Sequence, residues 1–163
     1  MTKFKPFTTT LIGSLPRTKE LLLLKESSNN SSKYEKAYKE KLLEETRKVV
    51  ELQKECGIDV IVSGELNRDN YMSYVAEVVG GIKLLNMEEV MSLTNNIDNF
   101  SKSLEEMDAA DDTMNSPICF SKLDTKKRLN DFEFGILKEL VDGDIKCTLP
   151  SPYLLTRSMY VNW

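Results

Sequence analysis

Gln53-Lys54-Glu55-Cys56-Gly57-Ile58-Asp59-Val60-Ile61-Val62-Ser63-Gly64-Glu65 decides the fold of this chain, because a helix end, a glycine, an apolar strand and a turn follow one another without a break. The helix is read from its inward face, Tyr38, Leu42, Thr46, Val49, Gln53 and Cys56, spaced by fours and threes. Gly57 stands where a left-handed C-cap belongs. Ile58–Val62 is nearly continuous in apolar residues, as a parallel strand covered on both faces requires.

Reading outward, the same unit recurs. Residues 8–12 form a strand that breaks at Gly13-Ser14-Leu15-Pro16-Arg17, and Thr18 caps a short leucine-rich helix. The polar loop 27–32 ends in a capping box, Ser32 with Glu35. Downstream, residues 70–79 suggest a helix stopped by Gly80-Gly81. Residues 86–115 are an irregular excursion, helical over Ile97–Met107 and turn-rich over Asp108–Asn115. Strand three is expected at Ile118–Leu123. An amphipathic helix follows over 126–141, with Leu129, Phe132, Ile136, Leu137 and Leu140 inward. Asp142-Gly143 turns the chain into strand four, Ile145–Leu149, and Ser151-Pro152 is the N-cap and first residue of a final helix. Alternating strands and helices imply a parallel sheet with right-handed crossovers. In such sheets ligands gather at the C-terminal strand ends, and the turns at 13–17, 64–68 and 146–152 all fall there.

Composition narrows the function. With 40% hydrophobic and 29% charged residues the chain can build one core and reads as one domain. The longest apolar run, Leu21–Leu24, is far below the roughly 18 residues of a membrane span, and the N-terminus carries no secretory h-region, so the expected location is cytoplasmic. The net charge of −4 arises from 26 acidic and 22 basic residues intermingled along the chain, which argues against nucleic-acid binding. Cys56, Cys119 and Cys147 are dispersed, which suits a reduced compartment, and with no histidine in the chain they make no expected metal site.

The candidate site is chemical. Gly13 allows close approach to the main chain, and Ser14 adds a hydroxyl. Glu65, beside Gly64, accepts charge-assisted hydrogen bonds from an ammonium group, or is a solvated loop acid, or forms an ion pair with Arg68. Arg68 reads as a fork of donors pinning adjacent loops. Lys122 and Lys146 stand at strand ends, where lysines are commonly solvated.

The Ile-Gly-Ser turn at 12–14, the Gln-x-x-x-Gly-Ile-Asp-Val run at 53–60, Gly-Glu-x-x-Arg at 64–68, Tyr74, and Lys-x-x-Leu-x-x-Pro within 146–152 together resemble the catalytic barrel of cobalamin-independent methionine synthases and their single-domain relatives. The resemblance runs the length of the chain. It implies an α/β fold, the first half of a TIM-type (β/α)8 barrel with about four parallel strands, since a complete barrel takes about 200–250 residues. It implies methyl transfer from a folate-type donor to homocysteine. The backbone at Ile12, Gly13 and Ser14 would hold the substrate carboxylate, Glu65 its amino group, and Lys122 or Lys146 could face a polyanionic folate tail.

The family's zinc is held by a His, two Cys and a Glu from the second half of the barrel, so the resemblance implies zinc for the full-length family and no cofactor in this chain. It also marks one departure, Asn70 where the family commonly has an acid two residues after the Arg. The expected partners are homocysteine or methionine and the folate donor, with either a missing C-terminal half or a second copy of the chain covering the open face. Two alternatives stand beside this reading. One is a non-catalytic amino-acid-binding or assembly module; the other is a uroporphyrinogen decarboxylase-like barrel, which needs no metal but fits the amino-acid-holding turns poorly.

Overall fold

Thr18 opens the first helix, α1 (Lys19–Asn30), by accepting the Leu21 amide on its hydroxyl at 3.3 Å. The computed structural model describes residues 4–93, 116–124 and 128–159. These fall into two compact units. The first comprises residues 1–67 and 130–148, the second residues 68–129 and 149–163.

In the first unit, α1 gives way to a 3-10 turn, Ser32–Tyr34, and then to α2 (Glu35–Glu55). The capping box at Ser32 does not form. The 3-10 turn takes Ser32 into the helical run, and the cap moves to Ser31, whose hydroxyl accepts the Lys33 amide. Leu42, Thr46, Val50 and Gln53 are the buried face of α2, while Cys56 at its end is exposed. Gly57 adopts φ +71° as expected, and the Gly57 and Ile58 amides close onto Lys54 and Gln53 carbonyls.

Gln53 then joins helix to strand. Its amide donates to the Val62 carbonyl at 2.9 Å and accepts the Val62 N–H at 3.0 Å. A neutral, two-way side chain is what a buried strand backbone needs there, which explains a glutamine on an apolar face.

The strands are short and parallel. Thr10 bridges Val60, and β1 (Ile61–Val62) pairs with a strand at Ile145–Lys146, registering Ile61 on Ile145 and Val62 on Lys146. Asp59 fastens the entry, its Oδ2 accepting the Thr9 N–H and Oγ1–H at 2.8 Å each. Those two donors hold the Asp59 carboxyl below its ordinary value. One hydrophobic cluster gathers Leu21, Leu42 and Leu66; another gathers Val50, Ile61 and Leu137.

The second unit holds α3 (Tyr74–Val78), β2 (Gly80–Leu85), α4 (Met87–Leu93) and β3 (Ser116–Asp124). Here the structure departs from the sequence reading. The segment expected as parallel strand three, 118–123, lies in β3 and pairs antiparallel with β2, with Ile82 on Cys119 and Leu84 on Pro117. Gly80-Gly81 ends α3 and also begins a strand. At Gly81 (φ +89°) the register shifts, and a β-carbon there would sit 2.5 Å from the Lys122 carbonyl oxygen. The helix expected over 97–107 and the turns expected over 108–115 lie outside the described residues.

The first unit resumes with α5 (Asp131–Leu140) and β4 (Ile145–Lys146), and the second ends with α6 (Pro152–Met159), whose Leu154 amide is accepted by the Ser151 hydroxyl as its sequence predicts. α5 buries Glu133 and Leu137, whereas Phe132 is exposed. Glu133 lies one turn ahead of Leu137 on the same buried face, and Phe132 lies off that face. No helix among the described residues is long and apolar enough to cross a membrane.

Candidate functional site

Three of the turns singled out in the sequence meet within the first unit. The Leu15 amide donates to the Gly64 carbonyl at 2.9 Å, which lays the 12–15 turn against the turn after β1. Thr148, just beyond β4, donates its hydroxyl to Glu65 Oε1 at 2.5 Å. Gly13 is buried against the same carboxylate: a β-carbon there would lie 2.4 Å from Glu65 Oε1 and 3.0 Å from the Thr148 methyl. Gly13 is therefore glycine because Glu65 occupies the space a side chain would take.

Glu65 is only 4% exposed, so it is not a solvated loop acid. Its backbone is left-handed, φ +55°, directly after Gly64 at φ +77°. A non-glycine residue in that conformation is uncommon and costs energy, and such residues persist where the surroundings fix them. The fixing contacts are identifiable. The Glu65 N–H donates to the Ser63 hydroxyl at 3.2 Å, Leu66 is anchored in the Leu21–Leu42 cluster, and Lys25 of α1 donates its ammonium to the Asn67 carbonyl at 2.5 Å.

The remaining sequence candidates divide. Ile12 is 94% exposed and Ser14 is exposed beside buried Gly13, so the turn offers its outer edge to solvent. Lys146 donates its ammonium to the Leu11 carbonyl and so ties β4 to the first strand segment. Arg68 and Lys122 belong to the second unit. Arg68 is fully buried with its guanidinium 4.0 Å from the Tyr74 ring centre, while Lys122 is exposed on β3.

Two participants escaped the sequence reading. Thr148 lies within the expected strand four, Ile145–Leu149, whose side-chain directions periodicity alone does not resolve, and in the structure it falls beyond β4. Glu133 is 4% exposed and accepts the Ser63 hydroxyl at 3.2 Å. Its signal was present as the position one turn before Leu137, in line with the apolar face of α5, where a charged residue needs a partner. Among the described residues, no three His, Cys, Asp or Glu side chains gather as a metal site would require.

Comparison with known proteins identifies a family. The sequence model of the cobalamin-independent synthase catalytic domain matches residues 7–138, most of the chain. A protein of Dictyostelium discoideum named 5-methyltetrahydropteroyltriglutamate–homocysteine methyltransferase is 37% identical over 75 residues, 46% of this chain and 9% of that protein. Proteins of the same name are 37% identical over 82 residues in Thermodesulfovibrio yellowstonii (50% of this chain, 11% of that protein) and 35% over 75 residues in Saccharomyces cerevisiae (46% and 10%). The matched stretch thus spans about a tenth of these relatives' own length.

Proposed function

The chain belongs to the cobalamin-independent synthase catalytic-domain family, and from that premise we propose that its first unit binds homocysteine by the amino-acid end for methyl transfer from a folate-type donor. The supporting observation is Glu65, a nearly buried carboxylate on a left-handed backbone, seated against Gly13 and hydrogen-bonded by Thr148. A carboxylate with fixed position and little exposure binds an ammonium more strongly than a mobile, solvated one, because it has already lost its water and its rotamer freedom. The neighbouring backbone at Ile12, Gly13 and Ser14 supplies the partner for the substrate carboxylate.

The reading extends to half of a TIM-type barrel, with the parallel order of the Thr10, β1 and β4 segments as its support. The chemistry stops at orientation. Zinc, which the family resemblance implies, would deprotonate the thiol, but the described residues provide no matching ligand set, and no step of sulfur activation is assigned to them. A second reading, an amino-acid-binding module without catalysis of its own, rests on the same nearly buried Glu65.

Both readings require recognition of the ammonium group. Calorimetric titration with L-homocysteine and with 4-mercaptobutanoate, which lacks only the amino group, tests it. Loss of one charge-assisted hydrogen bond predicts weaker binding of the des-amino compound by about tenfold or more. Equal affinity would overturn the assignment. Methyl-transfer activity of the chain would then separate the enzyme from the module.

A further inference from the structure

Glu133 lies on α5, far in sequence from the turn it supports. Its carboxylate Oε2 accepts the Ser63 hydroxyl proton at 3.2 Å, and the same hydroxyl oxygen accepts the Glu65 N–H at 3.2 Å. A serine hydroxyl has one proton and two lone pairs. With the proton committed to Glu133, the lone pairs are directed to the Glu65 amide, and the serine cannot turn to donate elsewhere. All three groups are buried, so water does not readily replace any of them.

We propose that Glu133 is a positioning residue for Glu65, acting through the Ser63 hydroxyl to hold the left-handed backbone from which Glu65 presents its carboxylate. The inference rests on the reading of Glu65 as the ammonium acceptor. Two facts favour positioning over direct ligand contact. The cavity that Glu133 shares with Thr46, Ser63 and Asn67 is about 10 Å³, room for a water at most and not for an amino acid. The relay also ends on the Glu65 backbone, the part of that residue whose conformation is costly.

The test pairs a ligand-free readout with a binding one. Amide hydrogen exchange by NMR on the chain should show Glu65 N–H exchanging about tenfold faster in Glu133→Ala and in Ser63→Ala, as for loss of one hydrogen-bond restraint, with the amides of Val60 and Ile61 unchanged. Glu133→Gln, which keeps an acceptor oxygen, should restore the protection to within about threefold of wild type. L-homocysteine affinity should fall in parallel, by about tenfold in the alanine variants. Unchanged Glu65 exchange in both alanine variants would overturn the proposal, and so would equal acceleration at Glu65, Val60 and Ile61, which marks general loosening. If wild type binds no homocysteine, the reading of Glu65 fails, while the exchange data still decide whether Glu133 positions it.

Discussion

One methyl group added at Gly13 would collide with the Glu65 carboxylate at 2.4 Å. The atom met is the tip of a side chain, so the conflict is relieved most easily by displacing that carboxylate rather than the backbone. Gly13→Ala is therefore expected to lose amino-acid binding while costing about 1–2 kcal/mol of stability, at the mild end for overpacking. Urea denaturation alongside calorimetry checks it; retained binding with a large stability loss would contradict the arrangement. Much of this residue-scale picture was legible in the sequence: Gly13 and Glu65 were identifiable from their turns, and the structure brings them into contact. What was not legible was the reason. A glycine required by a carboxylate from fifty residues away is a long-range contact that local turn chemistry cannot reveal, and buried Glu133 reads as a surface acid wherever polar residues are assumed to face water.

Among the elements, those with local signals appeared where the sequence placed them: α2 with its Gly57 stop, the strand after it, and the helix opened by Ser151-Pro152. Elements defined by their partners did not. An apolar run such as 118–123 suits a parallel strand and an antiparallel one equally, and its partner β2 begins at Gly80-Gly81, which the sequence reads as a helix stop. Leu137, fully buried between α2 and β1, tests the packing of the first unit: Leu137→Ala should cost about 2–5 kcal/mol by loss of buried apolar volume. Asp59 tests how the first strand is fastened. Its folded carboxyl is depressed by the Thr9 donors, so its stabilisation is complete above the ordinary aspartate value of 3.8 and disappears as pH falls through the lower folded value. Measured by urea denaturation from neutral pH down to about pH 2, the stability gap between wild type and Asp59→Asn should narrow in that acid range. A gap independent of pH would contradict the Thr9–Asp59 link.

At the scale of the whole molecule, the chain passes between its two units after Asn67, Leu129 and Thr148, and Gly13, Glu65 and Thr148 all belong to the first. The parallel pairing found among the described residues ends at Ile145–Lys146, and Phe7 and Ile12 are 98% and 94% exposed. Strand edges without a partner among the described residues recruit further chains, so the 163-residue chain is expected to be at least dimeric by light scattering coupled to size-exclusion chromatography; a monomer at every concentration would contradict this. The most direct test concerns Glu65 itself. Calorimetric titration of L-homocysteine into wild type and Glu65→Ala should give saturable binding to the first and at least about a tenfold loss in the second, with the fold of the variant verified by circular dichroism. Equal binding by the two proteins would contradict the account.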